Sequence, residues 1–133
     1  LFLTGIVAVI GMYQLLHALF KHPLSAAAGS WAFSFSPAFF YYTINPLPDL
    51  FALCCGIWGL ALFFRHVQNK QAISLLLSGF FIAIGALCKL PFILLYAVPA
   101  TYFLQQFIRT KISAQHFLIW IATFAWVALP AVW

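Results

Sequence analysis

Two residues in this chain are able to do ionic chemistry at one place, and both stand apart from the rest of its charge. Asp49, in TINPLPD, is the only carboxylate side chain in 133 residues. Lys89, in GALCKLPF, is a cation inside an apolar stretch with a proline two residues on. An acid at an apolar boundary suits a cation, a proton or a sugar hydroxyl. It also suits a helix start, where it complements the dipole; Asn45 would cap that helix and Pro46 or Pro48 would fill its first turn. An ammonium at a membrane rim either snorkels into the headgroups or meets a lipid-linked phosphate. A salt bridge between Asp49 and Lys89 is a third possibility that the sequence leaves open.

Polar and aromatic groups precede the acid. Residues Phe40 to Asn45 read FYYTIN, two phenols, a hydroxyl and an amide in what the pattern predicts to be an outer loop. Tyr41, Tyr42 and Asn45 would stack on a sugar ring and bond its hydroxyls, or would belong to an interfacial aromatic belt. Tyr13, Gln14 and His17 share a helix face by spacing, a polar stripe turned to neighbouring helices. His22, His66 and His116 stand in or beside basic stretches and read as interfacial. No spacing forms a metal-ligand motif. Cys54, Cys55 and Cys88 lack CxxC spacing and read as small apolar residues against lipid or other helices.

The elements holding these residues must live in lipid. The chain is 66% hydrophobic and 5% charged, against about 25% charged for a soluble domain. Its net charge of +5 is too scattered to form a nucleic-acid surface. Apolar runs of this length and continuity predict helices, because only helices and closed barrels satisfy their backbone in a bilayer, and barrel strands would alternate. The expected fold class is all-α, a polytopic transmembrane helix bundle of about six spans. The runs are Leu1–Phe20, Leu24 to Ser36-Pro37, Pro46–Phe64, Gln71–Cys88, Pro91–Ile108 and Ser113–Trp133.

This division puts Lys21, Arg65, Lys70, Arg109 and Lys111 on one face, five of the six Lys/Arg in the chain. The positive-inside rule makes that face cytoplasmic. Asp49 and Lys89 fall on the opposite side. Small residues recur four apart, as Ala52/Gly56, Cys55/Gly59, Ser74/Ser78 and Gly79/Ala83, which predicts close helix packing. The run at Leu1 has no basic leader and no cleavage site, which argues against a signal peptide. The absence of a first Met and the apolar end at Trp133 suggest a piece of a longer protein.

SPAFFYYTINPLPDL, followed by an apolar helix and a basic loop, and LLLSGFFIAIGALCKLPFILLYAVPA resemble the multi-span glycosyltransferases of the GT-C type. Within that type the resemblance is to the protein mannosyltransferase and aminoarabinose-transferase branch, glycosyltransferase family 39. The family pattern places an outer Ser-Pro at a helix end, an acid at the next helix start, and a Gly-Ala stretch leading to a lysine at a later helix end. These fall on Ser36-Pro37, on Asp49, and on Gly85-Ala86 before Lys89, over a region from Leu1 to about Ile108.

The resemblance implies an inverting transferase in the cell membrane, a bacterial inner membrane in this branch, with its site facing the periplasm. The donor would be a polyprenyl-phosphate-linked sugar and the acceptor a lipid, glycan or protein. Residues 1–133 would be the transmembrane part of a larger module. The principal catalytic acid would lie in a first outer loop upstream of Leu1, so the piece by itself is expected to be inactive. A divalent metal held partly by Asp49, or Lys89 itself, would neutralise the departing phosphate. A transporter or permease built on proline-broken helices is the alternative. So is a non-catalytic membrane scaffold.

Overall fold

The computed structural model describes residues 2–44 and 48–109, with Leu118, Ile121 and Ala122. The described chain is all-α. In order it forms α1 (Phe2–Phe20), α2 (Pro23–Ser34), α3 (Pro37–Ile44), α4 (Pro48–Asn69), α5 (Ala72–Cys88), a 3₁₀ segment (Leu90–Tyr96) and α6 (Ala97–Ile108). Two of these helices, α1 and α4, are long and apolar enough to cross a membrane, and α5 is a shorter apolar helix. Apart from Leu118, Ile121 and Ala122, the run expected from Ser113 to Trp133 lies outside the described residues, as do Lys111, His116 and Asn45.

Helix α4 is the centre of the bundle, packed against α1 on one side and α5 on the other. Helices α1 and α4 run parallel. The Trp58 indole Nε1–H donates to the Val7 carbonyl at 3.0 Å, and the Gln68 amide Nε2 donates to the Ala18 carbonyl at 2.6 Å. Helix α5 returns antiparallel, so Ser78 lies beside Gly59 and Gly85 beside Ala52. The start of α4 therefore meets the end of α5. The ends of α1 and α4 share the opposite end of the bundle, carrying Lys21, Arg65 and Lys70. Helix α6 points toward this basic end, since its Tyr102 hydroxyl accepts from Lys70 Nζ at 3.1 Å; Arg109 follows its last turn.

The expected small-residue spacings are the α4/α5 seam. Ala52, Cys55, Gly56, Gly59, Ser74, Ser78, Gly79 and Ala83 are all buried. A Cβ at Gly59 would stand 2.5 Å from Ile82 Cγ1 and 3.2 Å from the Ser78 carbonyl oxygen. The buried Ser78 hydroxyl donates to the Gly59 carbonyl at 2.7 Å, bonding the two helices where they are closest. The Tyr96 hydroxyl donates to the Gly79 carbonyl at 2.8 Å and ties the 3₁₀ segment to α5. Cys54 and Cys55 are buried in the packing of α4.

Three boundaries differ from the sequence expectation. The second run is α2, and a new helix starts where that run was expected to end, because the Ser36 hydroxyl caps a start at Pro37 by accepting the Phe39 N–H at 3.2 Å, a favoured Ser-cap and Pro-first arrangement. The segment Phe40–Ile44, expected in a loop, is consequently helical in α3. Helix α4 continues through Arg65 to Asn69 instead of stopping at Phe64. Charge ends an apolar run, but Arg and Gln are good helix formers and do not end a helix. The fifth run opens as a 3₁₀ segment, since Pro91 disfavours an α conformation at Leu90 and only from Ala97 does the α-helix resume.

Two histidines also have definite structural tasks where interfacial positions were expected. His66 is buried, and its Nδ1–H donates to the Gln71 carbonyl at 2.8 Å, closing the α4–α5 turn. His22 caps α2, its Nδ1 accepting the Ser25 N–H at 3.4 Å.

Candidate functional site

The rim opposite the basic end is built from the first turn of α4 and the last of α5. Pro48 opens α4 with its fixed φ, and Asp49 follows in the first turn, where an anion complements the helix dipole. Forty residues later in the chain, α5 ends at Cys88, and Lys89 is the extended residue between it and the 3₁₀ segment, with φ −152°. Its backbone is held on both sides. The Lys89 N–H donates to the Gly85 carbonyl at 2.9 Å, and the Lys89 carbonyl accepts from the Phe92 N–H at 3.0 Å.

Glycines let these helix ends meet. A Cβ at Gly85 would stand 3.1 Å from the Ala52 carbonyl oxygen, one helical turn beyond Asp49. Phe92 and Leu95 lie against Gly56, where a Cβ would come within 2.7 Å of Leu95 Cδ1, so the 3₁₀ segment seats directly on α4. Gly56, Phe92 and Leu95 thus position Lys89 without touching its charge. Sequence spacing marked Gly56 as a packing residue but did not connect it to the lysine.

The result is an ion pair. Lys89 Nζ lies 2.6 Å from Asp49 Oδ1, with the lysine side chain 42% exposed and the aspartate 18%. The Lys89 pKa is raised above its ordinary 10.5, chiefly by its hydrogen bond to Asp49; desolvation, the next effect, opposes the rise, and Coulombic attraction to Asp49 and Tyr42 adds to it. The group is therefore a permanent ammonium at neutral pH, partly open, on a rigid backbone.

Of the other residues expected at the site, Tyr42 is brought within electrostatic reach of Lys89 and packs on the cluster of Ala8, Phe39, Leu50 and Cys54. Tyr41 is exposed and stands edge-on to Tyr42, ring centroids 5.6 Å apart. Asn45 lies outside the described residues. No group of three His, Cys, Asp or Glu converges among them, and the Asp49 carboxylate already faces an ammonium.

Chemically, the rim offers a fixed cation with apolar surroundings and phenols on one side. Such a group stabilises negative charge developing on a departing oxygen. The one carboxylate at this rim, Asp49, is engaged by the Lys89 ammonium.

No curated protein and no solved structure matches the chain. The family model described as dolichyl-phosphate-mannose-protein mannosyltransferase matches residues 1–133. With a helical bundle, two membrane-length helices and the ordered Ser36-Pro37, Asp49 and Lys89 pattern in place, the chain belongs to that family of GT-C type membrane glycosyltransferases.

Proposed function

We propose that this chain is the membrane core of a glycosyltransferase that moves a sugar from a polyprenyl-phosphate donor to a lipid, glycan or protein acceptor at the outer face of the membrane. The observation that carries this reading is the Asp49–Lys89 pair, an ammonium held at the end of the bundle away from the other described cations. The positive-inside rule then assigns the pair to the outside. Charges at helix ends, rather than midway along them, favour this reading over a transporter.

In this reaction the acceptor oxygen attacks the anomeric carbon as the bond from that carbon to the phosphate oxygen breaks. The acceptor proton passes to a base, and the electron pair leaves on the polyprenyl phosphate. Lys89 neutralises that phosphate, and Asp49 orients the ammonium and keeps it protonated. Tyr41 and Tyr42 line the approach of the sugar. The base belongs to an outer loop upstream of Leu1 in the full-length protein, of which residues 1–133 form one transmembrane part.

The test is transfer from a polyprenyl-phosphate sugar by the full-length enzyme. Lys89→Ala is expected to lower kcat by about a hundredfold or more, the size of a lost charge-stabilising donor, with Lys89→Arg retaining part of the rate. Wild-type turnover by well-folded Lys89→Ala protein would remove the lysine from the reaction.

A further inference from the structure

A second site lies at the other end of the bundle. Between α1 and α4 is a cleft of roughly 390 Å³ lined by Gln14, His17, Arg65, Gln68, Trp58 and Leu62, among others. Its polarity is graded along the helices. Gln14, His17, Arg65, Gln68 and Asn69 stand toward the basic end, while Trp58, Ala61 and Leu62 stand deeper. From residue 58 to residue 69, α4 rises about 16 Å at ~1.5 Å per residue. That is close to one leaflet of a ~30 Å hydrocarbon core.

Among the described residues Arg65, Lys21 and Lys70 meet no carboxylate side chain. The chain's one acid, Asp49, is held by Lys89 at the opposite rim. Arg65 is exposed on the cleft wall, and Lys21 and Lys70 end the helices that form the cleft. An arginine fork with imidazole and amide donors suits a phosphodiester. The apolar inner half suits the carbon chain attached to it.

We infer that this cleft binds one anionic phospholipid of the leaflet on the basic side, its phosphate on Arg65 and His17 and an acyl chain along Trp58 and Leu62. The site is separate from the donor rim and takes no part in transfer. A bound lipid would hold α1 against α4 at the end where the Gln68–Ala18 hydrogen bond joins them.

The test is the thermal unfolding midpoint of the full-length protein in neutral detergent, titrated with phosphatidylglycerol, phosphatidylcholine or inorganic phosphate. Phosphatidylglycerol is expected to raise the midpoint saturably, and the other two to leave it unmoved. Arg65→Gln should weaken the half-saturation by about tenfold or more. Ala18→Phe, which fills the cleft without changing a charge, should abolish the response. If Arg65→Gln does not fold, Ala18→Phe and Arg65→Lys decide the matter. Equal shifts with phosphatidylcholine, or a full response in both the Ala18→Phe and the arginine variants, would overturn the site. A shift with inorganic phosphate alone would overturn the lipid as its occupant. Because no transfer is measured, the outcome is independent of the function proposed for Lys89.

Discussion

Lys89 and Asp49 stand 40 positions apart in the sequence, yet the ammonium and the carboxylate lie 2.6 Å from each other where α5 ends and α4 begins. A pair that only braces the bundle and a pair that presents an ammonium to substrate respond differently to exchange. Asp49→Lys with Lys89→Asp is expected to recover most of the thermal stability lost in either single variant. Recovery should be incomplete, since a cation at the start of α4 opposes its dipole. Glycosyl transfer by the full-length enzyme should stay at the level of Lys89→Ala. Recovery of transfer together with stability would show that the pair acts through structure alone.

The same pair sets a pH dependence. The folded-state pKa of Lys89 is raised, chiefly by its hydrogen bond to Asp49, so folding favours the protonated form. Its contribution to stability is complete below the ordinary lysine value of 10.5 and is lost as pH rises through the higher folded value. The stability difference between wild type and Lys89→Met should hold constant between about pH 7 and 9 and shrink only above the ordinary lysine pKa. Thermal unfolding in detergent across that range measures it. A difference that already falls near neutrality would mean the ammonium is not stabilised by folding.

The α4/α5 seam tolerates no bulk at Gly59, whose added Cβ would meet Ile82 at 2.5 Å and the Ser78 carbonyl oxygen at 3.2 Å. Gly59→Val is expected to destabilise by about 1–3 kcal/mol, the usual cost of overpacking. Ser78→Ala removes only the 2.7 Å hydrogen bond across the seam and should cost about 1 kcal/mol or less. Steric-trap or denaturant unfolding in micelles ranks the two, and equal effects would contradict the packing described.

Lys21 and Lys70 hold left-handed backbone, with φ of 54° and 57°, as the residues that close α1 and α4. Each N–H returns to a carbonyl four residues back, at 2.9 and 2.7 Å, the position glycine usually fills. Lys21→Gly should therefore stabilise the protein by about 1 kcal/mol, less what the freer unfolded chain takes back. Lys70→Gly should gain less, because it also loses the contact from Lys70 to the Tyr102 hydroxyl. A destabilised Lys21→Gly protein would rule out that conformation at the end of α1.

Much of this was legible from residue patterns. The apolar run ending at Lys21-His22-Pro23 gave α1 almost to the residue, and the small residues spaced four apart gave the α4/α5 seam. The pairing of Asp49 with Lys89 was one of several open readings, and only the antiparallel register of α4 and α5 selects it. Hydropathy failed where hydrogen bonding and hydropathy part company. Arg65, Gln68 and Asn69 are polar enough to end a membrane run yet remain helical in α4. Ser36-Pro37 interrupts one helix and begins another, a double role that a hydropathy pattern records as a loop. The seating of Phe92 and Leu95 on Gly56 joins residues 36 or more positions apart, and no local pattern encodes that contact.

The cancellation of charge at the Asp49–Lys89 rim has an electrical consequence. Across a polarised membrane that rim adds no net gating charge, while Lys21, Arg65 and Lys70 meet no carboxylate side chain among the described residues. Turning the bundle over would drive those cations against the voltage at about 2.3 kcal/mol for each full charge and 100 mV. With the basic end inside, as the proposed function requires, a resting potential negative inside works as a one-way latch on how the protein sits in the bilayer.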